Sequence, residues 1–127
     1  MTPSEIITQE AQKVGYDADV MLRKINKLVQ GKAAILLQKN DSVLLLITIA
    51  KAVVEAHLFT VDSPAKIVDS LRYFVKQINQ SGIKTVYGPD AGNQEAELKK
   101  TLGLLDKMGW NIQKSNLPRY YWMAEIK

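Results

Sequence analysis

Glu55 and His57 are the residues of this chain best suited to acid–base chemistry. They stand two apart in Val53–Phe59, an apolar and β-branched run that reads as a strand. Alternation along a strand puts both side chains on one face. A carboxylate or an imidazole held there can take a proton from an amine. An amine must lose that proton before its lone pair can attack a carbonyl. His57 is the only histidine, so it offers neither a triad nor a metal site. The plainer reading of the pair is an exposed edge carboxylate beside a hydrogen-bonded structural histidine.

The same strand runs into the polar turn Thr60-Val61-Asp62-Ser63-Pro64, where Ser63-Pro64 opens a helix. A helix N-terminus carries unpaired N–H groups and a partial positive charge, so this turn is a candidate phosphate site. Asn93 ends the loop that follows the next strand. It either lines the same crevice or caps the last helix, whose first turn, Glu95-Ala96-Glu97, is acidic. Arg119-Tyr120-Tyr121-Trp122 joins a cation to three aromatic rings, a composition that can stack on bases. Alternation there puts Tyr120 and Trp122 on one face and Tyr121 on the other. That favours core packing with one interface aromatic, and nucleic acid is not the expected partner.

Recognisable elements must position these residues. Thr2-Pro3-Ser4-Glu5 has the form of a capping box with Pro at the first helical position. Gly15 should end that helix. Asp17 should cap a second one, with Met21, Ile25, Leu28 and Val29 inward and Gly31 at its end. Ala33–Leu37 and Val43–Ile49 read as strands joined by a tight Asn40-Asp41 turn. The next turn, Ala50-Lys51-Ala52, has no Gly, Pro or Asn, so one bent strand from Val43 to Phe59 is the alternative. Ser63-Pro64 opens a helix that Gly82 closes, with Leu71, Phe74, Val75 and Ile78 on its apolar face. The strand Ile83–Tyr87 should lie parallel beside Val53–Phe59, because strand–helix–strand connections are right-handed and close in one sheet. A last helix, with Leu98, Leu102, Leu105 and Met108 inward, stops at Gly109. Trp110–Gln113 and Tyr120–Ile126 complete the chain. The order ααβββαβαββ predicts one α/β (α+β) domain over residues 1–127, a mixed sheet with helices on both faces.

Composition bounds the function. The chain has 127 residues, 46% of them hydrophobic, enough for one core. There is no cysteine, which excludes disulfides, thiolate metal sites and a Cys nucleophile and fits a reducing, cytoplasmic setting. No signal peptide or membrane span is expected, since the longest apolar run is Val43 to Ala50. The formal net charge of +4 would suit an anionic partner, but the cations are scattered and read equally as solvated surface.

From Ala33 to Ile126 the element order resembles the GCN5-related N-acetyltransferase (GNAT) family. Asn93 after a central strand, then a helix ending in Lys107-Met108-Gly109-Trp110, are the residues that carry the likeness. The resemblance implies an acyltransferase that moves an acyl group from acetyl-coenzyme A to a small-molecule or protein amine. It implies Glu55 as base, His57 as second candidate, and Phe59, Thr60, Val61, Ser63, Ala65, Lys66 and Asn93 around the acyl donor. Two departures stand out. The family's diphosphate turn carries glycines and an Arg or Gln, whereas Val61–Lys66 has none, adds Asp62, and loses an N–H at Pro64. The Tyr that the family often places as acid to the leaving thiolate is Leu105 here. The chain also resembles small acetyltransferase-like proteins of tailed bacteriophages, through His57–Pro64 and Tyr121-Trp122-Met123-Ala124. That likeness implies a rival role as a non-catalytic binding or assembly protein, in the host cytoplasm or the virion, with homo-oligomers expected.

Overall fold

The structure, a computed structural model, describes residues 1–90 and 92–126, and of Asn93 the backbone alone. Two helices open the chain, α1 (Pro3–Lys13) and α2 (Ala18–Gln30). Thr2 and Glu5 form the expected capping box, and the Asp17 carboxylate accepts from the Val20 N–H. Gly31 is the C-cap of α2 with an ordinary φ of −78°, and the left-handed residue is Lys32, φ 58°.

Strands β1 (Ala34–Lys39), β2 (Ser42–Ala50) and β3 (Val53–Thr60) form an antiparallel meander. Its tight turn at Asn40 has φ 51°. The Lys51–Ala52 turn is real, with Ala52 at φ 60°, so the bent-strand alternative does not hold. The register shifts between Thr48 and Ala50, a local irregularity that lets the chain reverse without a glycine. Helix α3 (Pro64–Asn79) then crosses to β4 (Thr85–Gly88), which pairs with β3 in parallel as expected. A short 3₁₀ turn, Gly92–Gln94, leads into α4 (Glu95–Lys107), and β5 (Asn111–Lys114) and β6 (Trp122–Glu125) close the fold. The sheet order is β1-β2-β3-β4-β6-β5.

Two apolar layers sandwich this sheet. One face packs Ile6, Ile7 and Ile25 of α1 and α2 onto Ala34, Val43 and Leu45. The opposite face packs Leu71, Phe74 and Ile78 of α3 onto Leu46, Val54 and Val86. Side chains two apart share a face, so Val54 and Ala56 enter the second core while Glu55 and His57 face the first layer. A third cluster, Tyr87, Tyr120 and Met123, covers the β4–β6 end of the first face. The loop between β5 and β6 folds over the sheet to place it there.

That loop corrects the expected alternation. Tyr120 precedes β6 and packs with Tyr87 and Met123, whereas Trp122 belongs to the core under α3 and α4. The two rings therefore lie on opposite faces. Alternation applies only inside a strand, and β6 begins at Trp122. Glu55 is not at an edge either: β3 is an interior strand, between β2 and β4.

Candidate functional site

The site is built by a parting of strands. β3 and β4 pair only through Val53↔Thr85, Val54↔Val86 and Glu55↔Tyr87. Beyond that point β4 ends at Gly88 and turns away into Pro89, while β3 continues through Ala56–Thr60 with a partner on its β2 side alone. The parting opens a cavity of about 680 Å³, inside the range of roughly 300–1,000 Å³ common for small-molecule sites. Its floor is apolar, with Leu71, Phe74, Leu105 and Trp122 from the α3–α4 side. Its rim carries His57, Thr60, Asp90, Gln94 and Glu97, with Glu10 entering from α1. Among the described residues no Lys or Arg lines it.

Gly88 is needed at the hinge of the gap. A Cβ there would lie 1.9 Å from the indole nitrogen of Trp122, so only glycine lets that ring close the floor. Trp122 in turn is 7% exposed, and its indole is buried against the second core.

Glu55 and His57 come together, as their spacing required. His57 Nε2 hydrogen-bonds Glu55 Oε2, and Tyr120 Oη donates to Glu55 Oε1 at 2.6 Å. Behind them the Tyr87 and Tyr120 rings stack with centroids 5.1 Å apart, and Tyr87 Oη donates to Asn116 Oδ1 at 2.8 Å. The Arg119 guanidinium lies 5.5 Å from the Tyr120 ring centre. Burial works to raise the Glu55 carboxyl, but the hydrogen bonds from Tyr120 and His57 prevail and hold it below the usual carboxylate range. Burial, then the bond to Glu55, pushes the Tyr120 phenol up. His57 lines the cavity and Glu55 does not. The arrangement can thus present an imidazole to a ligand, with an ionised carboxylate fixed behind it.

The other expected site residues are divided by the geometry. Phe59 and Thr60 line the cavity. Val61, Ser63, Ala65 and Lys66 do not, and the last three are solvent-exposed. Asn93 sits in the 3₁₀ turn at the rim, its side chain outside the described residues, and Gln94 holds the N-cap position of α4.

Asp62 has a structural task that its sequence position did not announce. Its carboxylate accepts from Ser42 Oγ at 2.5 Å, Ser70 Oγ at 2.7 Å and the Asp41 N–H at 2.9 Å. Ser42 and Ser70 are both fully buried, so one anion ties β2, the turn and α3 together. Burial works to raise the Asp62 carboxyl, and the bonds from Ser42, Ser70 and Asp41 overcome it and lower the pKa. Reading by residue type also missed Glu10. Its Oε2 is buried with no partner among the described residues, and burial raises its pKa. A signal existed: Ile6, Ile7, Glu10 and Ala11 share one helical stripe, so a carboxylate stands where an apolar residue is due.

The fit to acetyl-coenzyme A is therefore split. The open edge of β3 and the apolar floor suit a thioester-bearing arm. The diphosphate end has no counterpart: the turn has no glycine, Pro64 lacks an N–H, no side chain caps α3, and the only cation, Lys66, stands beside the Asp62 carboxylate.

Comparison with solved structures places this geometry among known folds. A chimera of the spermidine N-acetyltransferase SpeG from Vibrio cholerae and hSSAT superimposes with a TM-score of 0.50, over 86% of this chain and 74% of that one. This is a GNAT-like fold. Sequence identity across the match is 12%, so the likeness extends to architecture and strand order. No family model and no curated protein sequence matches the chain. Among the described residues no group of His, Asp and Glu could hold a metal ion, and no helix is long and apolar enough to cross a membrane.

Proposed function

We propose that the chain is a thioester-dependent N-acyltransferase whose cavity between β3 and β4 receives donor and amine. The observation that carries this reading is the strand parting after Glu55↔Tyr87, with His57 at its rim and Glu55 hydrogen-bonded behind it. The imidazole of His57 takes the proton that the substrate ammonium must lose before its nitrogen attacks. Glu55, ionised and fixed by the Tyr120 hydroxyl, stabilises the resulting imidazolium. The N–C bond forms as the C–S bond breaks, and the ammonium sheds two protons on becoming an amide: the departing thiolate takes one and the other leaves to solvent. The unpaired ladder edge at Ala56–Thr60 offers backbone N–H and C=O groups to the amides of the donor's arm.

One observation favours a second reading, a non-catalytic binding or assembly protein on the same scaffold, including a virion component. Leu105 is 6% exposed and lines the cavity where related folds place a phenol, so no side-chain acid stands there.

The test measures acetyl transfer to a panel of amines beside the mass of the protein in solution. His57→Gln and Glu55→Gln should each lower the rate by roughly 10²–10⁴-fold with the fold intact. No turnover in the parent protein, together with a defined oligomer, would favour the assembly reading.

A further inference from the structure

The cavity ends at Thr60. None of Val61–Lys66 lines it, although this turn opens α3 where a nucleotide diphosphate would be expected to sit. Inside the turn an anion is already present. The Asp62 carboxylate is tied to Ser42, Ser70 and the Asp41 N–H, so it cannot swing away without breaking the link between β2 and α3. A diphosphate approaching the α3 N-terminus would meet that negative charge, a proline without an N–H, and a backbone whose side chains keep it at a distance. Among the described residues that line the cavity, no Lys or Arg offers a second place for phosphates. What remains is chemistry for a neutral, amide-bearing thioester arm: the apolar floor of Leu71, Phe74 and Trp122, the open edge of β3, and the hydroxyl and amide groups of Thr60, Gln94 and Thr101.

Resting on the acyltransfer reading, we propose that this protein recognises its donor through the S-acyl pantetheine arm alone and draws no affinity from a nucleotide diphosphate. The arm can come from a small thioester or from a carrier protein that holds it on a phosphodiester.

Calorimetric titration of the full chain, without amine, tests this directly. S-acetylpantetheine and acetyl-coenzyme A should bind with dissociation constants within about threefold of each other. 3′-Phosphoadenosine 5′-diphosphate, the nucleotide half with its diphosphate, should neither bind nor compete at about 1 mM. Lys66→Glu should leave both thioester constants within about threefold. Acetyl-coenzyme A binding about thirtyfold or more tighter than S-acetylpantetheine would overturn the proposal while leaving the acyltransferase reading intact. So would competition by 3′-phosphoadenosine 5′-diphosphate, or weakening of acetyl-coenzyme A alone in Lys66→Glu. If neither thioester binds, both the proposal and the reading of the cavity as a donor site fall. An acetylated carrier protein is the last arm: tighter binding than the free arm identifies a carrier as the source, and equal binding identifies a small thioester, and both support the proposal.

Discussion

Replacing Asp62 tests whether the turn before α3 is a structural joint. Its carboxylate accepts three hydrogen bonds, from Ser42, Ser70 and the Asp41 N–H. A buried bond to a charged acceptor contributes about 1.5–3 kcal/mol. The three do not add. Ser42 keeps Thr60 Oγ1 as a partner at 2.6 Å, and Ser70 keeps the carbonyls of Lys39 and Lys66, each at 3.1 Å. Only the Asp41 N–H loses its one described acceptor, and the half-buried turn lets water return. Asp62→Ala should therefore lower stability by about 2 kcal/mol at pH 7. The pH dependence has a definite sign. Because folding lowers the Asp62 pKa, its ionised form stabilises the fold above the unfolded value of about 3.9. That contribution is lost as pH falls through the lowered folded value. Urea unfolding followed by circular dichroism at several pH values reads both effects, and the gap between parent and Asp62→Asn should narrow as the solution is acidified. A loss under about 0.5 kcal/mol at pH 7, or a gap that widens in acid, would refute the reasoning.

Three further outcomes follow from packing and charge. Glu10→Gln should raise the melting temperature at neutral pH, because burial lifts the Glu10 pKa and ionisation there opposes folding; the gain should shrink as pH falls through that raised value. Gly88→Ala should displace Trp122 from the cavity floor, with a loss of roughly 1–3 kcal/mol in a denaturant melt and a shifted tryptophan emission spectrum. Phe74→Ala should lower stability by about 3 kcal/mol, the low end for a buried Phe, since one side of the ring already faces the cavity; a loss below about 1 kcal/mol would mean that the α3 face is misassigned.

Local rules made much of the fold readable in advance. The capping box at Thr2–Glu5, the Asp17 cap and the apolar stripe of α3 each depend on residues within four positions of one another. Nearby covalent geometry therefore decides them, and the structure follows them closely. The same holds for Glu55 and His57, because a two-residue spacing in a strand fixes a shared face whatever the rest of the chain does. Where the strands and loops then go depends on distant partners. Tyr120 reaches Glu55 across 65 positions, and the loop that carries it, not alternation, sets the face it occupies. Asp62 looked like an obstacle to a phosphate. It is a joint, because Ser42 and Ser70 converge on it from β2 and α3. The cavity, too, exists only because β3 outruns β4, a difference in strand length across a parallel pair that no single segment encodes. The chain's own sequence determines its elements and the pair of groups that can move a proton. Tertiary packing alone decides which of those groups lines the cavity, since burial and long-range hydrogen bonds depend on residues far apart in the chain.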